Sequence, residues 1–90
     1  MDTKTLVLLA RHDQTEAMRV AAGLTIFGHT VRLVFMGREV EDTLENRAQA
    51  DLLELAEIEP RSTLQTSELP YVPPAELCAM CLSADAVLNL

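Results

Sequence analysis

Residues 5–40 read TLVLLARHDQTEAMRVAAGLTIFGHTVRLVFMGREV, and this stretch decides the fold. Two apolar runs rich in branched side chains, Thr5 to Ala10 and Thr30 to Met36, flank a helical segment, Gln14 to Phe27. Continuous apolar runs suit strands covered on both faces, as in parallel sheets. Parallel neighbours need a crossover of a dozen or more residues, and the helical segment supplies it. Asp13 and Glu16 have the D-x-x-E spacing of a capping box, so Asp13 would receive the orphan amides of the first turn. The helix buries Ala17, Val20, Ala21, Leu24 and Phe27, a stripe at three-to-four-residue spacing. Gly23 lies inside it at a cost of about 1 kcal/mol relative to alanine, which close backbone packing would explain. Gly28 suits the left-handed residue that ends a helix. Gly37 marks the turn after the second strand, Val31 to Phe35.

Working outward, Glu39 to Asp42 form an acidic patch before a second helix, Thr43 to Glu57. Its buried stripe is Leu44, Ala48, Leu52 and Leu55, with Glu45, Gln49, Glu54 and Glu57 toward water, and Pro60 ends it. Arg61 to Ser67 holds a short polar strand around Thr63, Leu64 and Thr66, suited to a sheet edge. A loop with three prolines follows. A short helix, Pro74 to Ser83, starts with proline at its first position, and Asp85 to Leu90 reads as the last strand. The order is βαβαβαβ. The expected fold is therefore α/β, a small three-layer sandwich with a mostly parallel four-stranded sheet. Ligands bind such sheets beyond the carboxyl ends of the strands, near the point where strand order reverses.

Ninety residues make one small domain spanning 1–90. Aromatics are limited to two Phe and one Tyr, so the core must be aliphatic. The net charge of −7 argues against nucleic acid and anionic membranes as partners. No apolar run approaches the roughly 20 residues of a membrane span. The N-terminus lacks a signal-peptide pattern, so the expected location is the cytoplasm, where the two cysteines are thiols.

Three groups are candidates for chemistry. The loop after the first strand, Arg11, His12, Asp13, Gln14 and Thr15, leads into a helix N-terminus, which attracts anions through free amides and the helix dipole. Histidine is the residue type that exchanges protons near neutral pH. Helix capping alone also explains Asp13, and no glycine-rich phosphate fingerprint occurs here. Arg38 and Arg11, both at carboxyl ends of neighbouring strands, could hold one anion together. The alternative is solvated arginines paired with Glu39, Glu41 or Asp42. Finally, Cys78 and Cys81 have the C-x-x-C spacing that puts both sulfurs on one helical face. A helix N-terminus favours the thiolate, and Cys78 lies about one turn inside. The opposite reading makes both small buried residues packing with Leu82. One C-x-x-C without a second pair does not make a zinc site, and nothing calls for a cofactor.

The apolar strand TLVLLA, the helix ending AAGLTIFGHTVRLVF and the MGREV turn resemble the opening of the DsrE/DsrF-like family of sulfur-relay proteins. The ending SADAVLNL resembles that family's last strand. Together these cover about half the chain. The resemblance implies a small α/β sandwich that assembles into dimers, trimers or hexamers with its own or related subunits. Some members carry persulfide sulfur on one cysteine and exchange it with a donor or acceptor protein. Others lack that cysteine and act as structural subunits. The family cysteine follows the third strand, and Arg61 to Ser67 contains none. A register with the third strand at Ala75 to Met80 would instead put Cys81 near a strand's carboxyl end. The expected function is sulfur carriage on Cys81 or Cys78. The alternatives are a non-catalytic assembly subunit and a small-anion or nucleotide-binding module at the His12 loop.

Overall fold

A computed structural model describes residues 3–90. It contains β1 (Thr5–Ala10), α1 (Gln14–Ile26), β2 (Thr30–Phe35), α2 (Leu44–Leu55), β3 (Arg61–Ser62), α3 (Pro74–Ser83) and β4 (Ala86–Asn89). The sheet order is β3-β2-β1-β4, with every pair parallel. The fold is thus the α/β arrangement expected from the sequence. The steps β1 to β2 and β2 to β3 run the same way, and right-handed crossovers then place α1 and α2 on one face. The step back to β4 places α3 on the other.

The pleat divides β1 accordingly. Leu6, Leu8 and Ala10 join Leu33, Phe35, Ala17, Met18, Ala21 and Leu53 in the larger core. Val7 and Leu9 face the other way and meet Val34, Val72 and Met80. Burial on both faces is why β1 reads as an unbroken apolar run.

The helix ends follow local chemistry. Asp13 caps α1, its Oδ1 accepting from the Glu16 amide at 3.0 Å. The reciprocal half of the capping box is absent: the Asp13 amide donates to the Leu90 carbonyl, and the Glu16 carboxylate takes Arg19. That Arg19 hydrogen bond holds the Glu16 carboxyl below its ordinary range. Gly28 and Gly37 have φ of 90° and 75°, the left-handed conformations expected at both turns. The α2 terminus is a Schellman motif: the Ile58 amide donates to the Leu53 carbonyl and the Glu57 amide to that of Glu54. Its left-handed residue is Glu57, at φ 59°, a place ordinarily held by glycine.

Four expectations are corrected. The stripe assigned to α2 is not buried: Leu44 is 78% and Leu55 81% exposed, and Leu52 and Ala48 are also exposed. Leu53 and Asn46 are buried instead, because polar anchoring of the α2 N-terminus sets which side of the helix faces α1. Gln49 is half-buried rather than solvated, with its Oε1 enclosed and unpartnered. In α1, Phe27 is 74% exposed, since the helix ends there and its side chain passes the edge of the core. The third strand lies within Arg61 to Ser67 but keeps only two residues, whereas Ala75 to Met80 is helical. Thr63, Leu64 and Thr66 fall outside the strand.

Close packing does not explain Gly23, because a methyl group there would meet nothing within 4 Å. Gly23→Ala should therefore stabilise the protein by about 0.5–1 kcal/mol through helix propensity. Urea unfolding measures this, and a loss of stability would show an unrecognised contact at that position.

Candidate functional site

The carboxyl ends of β1, β2 and β3 bring Arg11, His12, Gly37, Arg38 and Thr63 to one edge of the sheet. Strand order reverses between β1 and β4, so the loop after β1 sits where the α/β rule places ligands. Two shallow clefts open there. One, of about 520 Å³, lies among Arg11, His12, Met36, Gly37, Thr63 and the start of α3. The other, of about 450 Å³, lies among His12, Asp13, Arg38, Glu41 and Asn46. His12 borders both. Arg11 borders the first and Arg38 the second, so the two guanidinium groups are not gathered around one cleft.

The chain already uses much of the hydrogen-bonding capacity at this edge. The amides of His12 and Asp13 both donate to the Leu90 carbonyl, at 2.9 and 2.8 Å. Arg38 donates from Nη2 to the His12 carbonyl at 2.9 Å and from Nη1 to Glu41 at 3.3 Å. The Gly37 amide donates to the Thr63 hydroxyl at 2.9 Å. An incoming anion would meet the Asp13 carboxylate and amides that are already bonded. Among the described residues, Arg11 is the arginine at this edge without an ion pair.

Behind this edge lies a polar network that joins Gln14 and Thr15 of the candidate loop to Asn46, whose part in it the sequence does not reveal. Gln14 is 5% exposed; its Nε2 donates to the Glu39 carbonyl and its Oε1 accepts from the Glu41 amide, both at 2.9 Å. Asn46, also 5% exposed, donates from Nδ2 to the Glu41 carbonyl at 2.9 Å and accepts from the Thr15 hydroxyl at 2.5 Å. The Asn46 amide donates to Thr43, the cap of α2. Two buried carboxamides thus fasten the segment carrying Arg38 to both helices. The visible signal was amide side chains in the first turns of two amphipathic helices, without any sign of their partners.

The cysteines lie apart from this edge, in the second turn of α3 and beyond. Cys78 is exposed, and Cys81 is half-buried against the second core cluster. Neither packs as a fully buried residue. Leu82, the proposed packing partner, is 82% exposed, because α3 turns Leu77, Met80 and Cys81 toward the sheet and Leu82 away from it. Among the described residues no three His, Cys, Asp or Glu side chains gather as metal ligands would, and no helix is long and apolar enough to cross a membrane.

A larger cleft lies elsewhere. A cavity of about 860 Å³ opens between α2 and residues 66–69, beside the short β3 edge, and carries five glutamates on its lining. It draws on five separate segments of the chain, which is why no single stretch of sequence announces it.

No model of a known protein family matches this chain, and neither do curated proteins or solved structures.

Proposed function

We propose that this chain is an assembly-forming α/β subunit, in keeping with its resemblance to DsrE/DsrF-like proteins, and that it works in the cytoplasm. The observation that carries this reading is β4. Strands of a parallel sheet are ordinarily covered on both faces, yet all four residues of β4 are exposed. Val87 and Leu88 point to opposite faces and are each 37% exposed. The outer edge of β4 has no lysine, proline or bulge to discourage pairing, the devices by which edge strands avoid other chains. A second copy added there across a twofold axis would continue the sheet and cover Leu88 on one face and Val87 on the other. A stable dimer needs about 800 Å² per partner, which the strand and its flanking helix faces together must supply.

Sedimentation equilibrium tests this reading. The expected result is self-association at high micromolar concentration, abolished by Val87→Lys with little change in thermal stability. A clean monomer at that concentration overturns it.

A second reading, sulfur carriage, is favoured by the exposed Cys78 thiol. Its thiolate would attack the outer sulfur of a donor persulfide, forming a Cys78 persulfide and releasing the donor thiolate. Cys78 should react with a disulfide reagent in the native protein well before the half-buried Cys81. Cys78→Ser should leave stability unchanged within about 0.5 kcal/mol, and Cys81→Ser should cost roughly 1 kcal/mol. Alkylation with and without cyanide, read by mass spectrometry after persulfide treatment, tests loading; no added sulfur on either cysteine ends this reading. The anion-binding reading rests on Arg11, which forms no ion pair among the described residues.

A further inference from the structure

We infer that the cleft between α2 and residues 66–69 binds a small organic cation with an apolar body. Its volume, about 860 Å³, is that of a small-molecule site. The floor is apolar: Met18, Phe35, Val40, Leu53, Ile58 and Leu69, and all six belong to or pack against the larger core. The polar groups around it are one-sided. Glu39, Glu54, Glu57, Glu59 and Glu68 line the cleft, with no Lys, Arg or His among the lining residues. All five are exposed, and none takes part in the ion pairs formed among the described residues. Apolar floor and anionic rim together select an amine over a neutral or acidic molecule.

Two of these carboxylates occupy positions that work against the fold. Glu54 lies in the last turn of α2, where the helix dipole disfavours negative charge and no basic residue offsets it. Glu57 holds the left-handed residue of the Schellman motif, where glycine is unstrained. The carbonyl end of α2 adds its own negative potential at the same place. Local rules are broken most often where function needs the residue. Here both exceptions put a carboxylate on this cleft.

The test uses a matched fluorescent pair: dansylcadaverine, an apolar ring system bearing a primary amine, and dansylglycine, the same ring system bearing a carboxylate. The amine should bind at least about tenfold more tightly, and the preference should shrink with added salt. In Glu54→Gln/Glu57→Gln/Glu59→Gln the preference should fall toward unity. Asp51→Asn, on the same helix but outside the cleft, should leave it within about twofold of the starting protein. Glu57→Gly should raise the melting temperature while weakening amine binding, separating the two roles of that position. Equal binding of both probes, no binding of either, or a preference that survives the triple substitution overturns the inference. So does a short Leu/Lys peptide that binds where the amine fails and is lost in the triple variant, since the cleft would then serve a partner's chain.

Discussion

Phe35→Ala is expected to remove about 3–5 kcal/mol of stability, out of roughly 5–10 kcal/mol for a domain of this size. Phe35 is the last residue of β2 and 1% exposed. It is the one buried aromatic: Phe27 is 74% and Tyr71 37% exposed. Its ring joins Leu8, Met18 and Leu53 in the larger core and forms part of the floor of the large cleft. Its carbonyl accepts from the Thr63 amide at 3.0 Å, next to the two-residue strand β3. Truncation would therefore enlarge a cleft that already reaches the core and loosen the packing beside the weakest strand. Urea unfolding measures the cost. Phe35→Leu, which keeps most of the volume, should lose less than about 1.5 kcal/mol. A loss below 1 kcal/mol for alanine would mean that α2 and residues 66–69 collapse onto the vacated space.

That central role was legible in part, and the limit is physical. β1, α1 and β2 could be read because each signal is local: continuous apolar runs, an aspartate cap, and glycines at Gly28 and Gly37 where φ is positive. The orientation of α2 could not be read from hydropathy. Its most apolar stripe, Leu44 to Leu55, faces outward because Asn46 and Leu53 are the residues held against α1. Asn46 gains its place from a carbonyl five residues back and a hydroxyl 31 residues away. A polar residue reads as solvated until its partners are known. The same limit applied to β3, whose two residues, Arg61 and Ser62, carry no strand pattern, and to the cysteines, whose exposure depends on which face of α3 docks. The large cleft left one trace in the sequence, the run ELAEIEP, with three carboxylates around the end of a helix.

Asn46→Leu is expected to cost about 2–4 kcal/mol, although it adds apolar surface at a buried site. The substitution strands two groups, the Glu41 carbonyl and the Thr15 hydroxyl, that now bond to the Asn46 side chain. An unpartnered buried polar group costs about 1–3 kcal/mol, and burial of leucine offsets part of that. The effect should exceed that of breaking any exposed ion pair, such as Arg19–Glu16 or Arg47–Asp42, where solvent screens the charges. A double-mutant cycle with Thr15→Val isolates the side-chain bond: the pair should cost less than the sum of the single changes, since Val removes the stranded hydroxyl. Hydrogen exchange at the Glu41 amide gives a second readout. That amide donates to Gln14, so freeing the opposite side of the same residue should speed its exchange, and Arg38 should lose its fixed place beside His12. A cost below about 0.5 kcal/mol with unchanged exchange would mean that water replaces the carboxamide, and that Gln14 alone holds the loop in place.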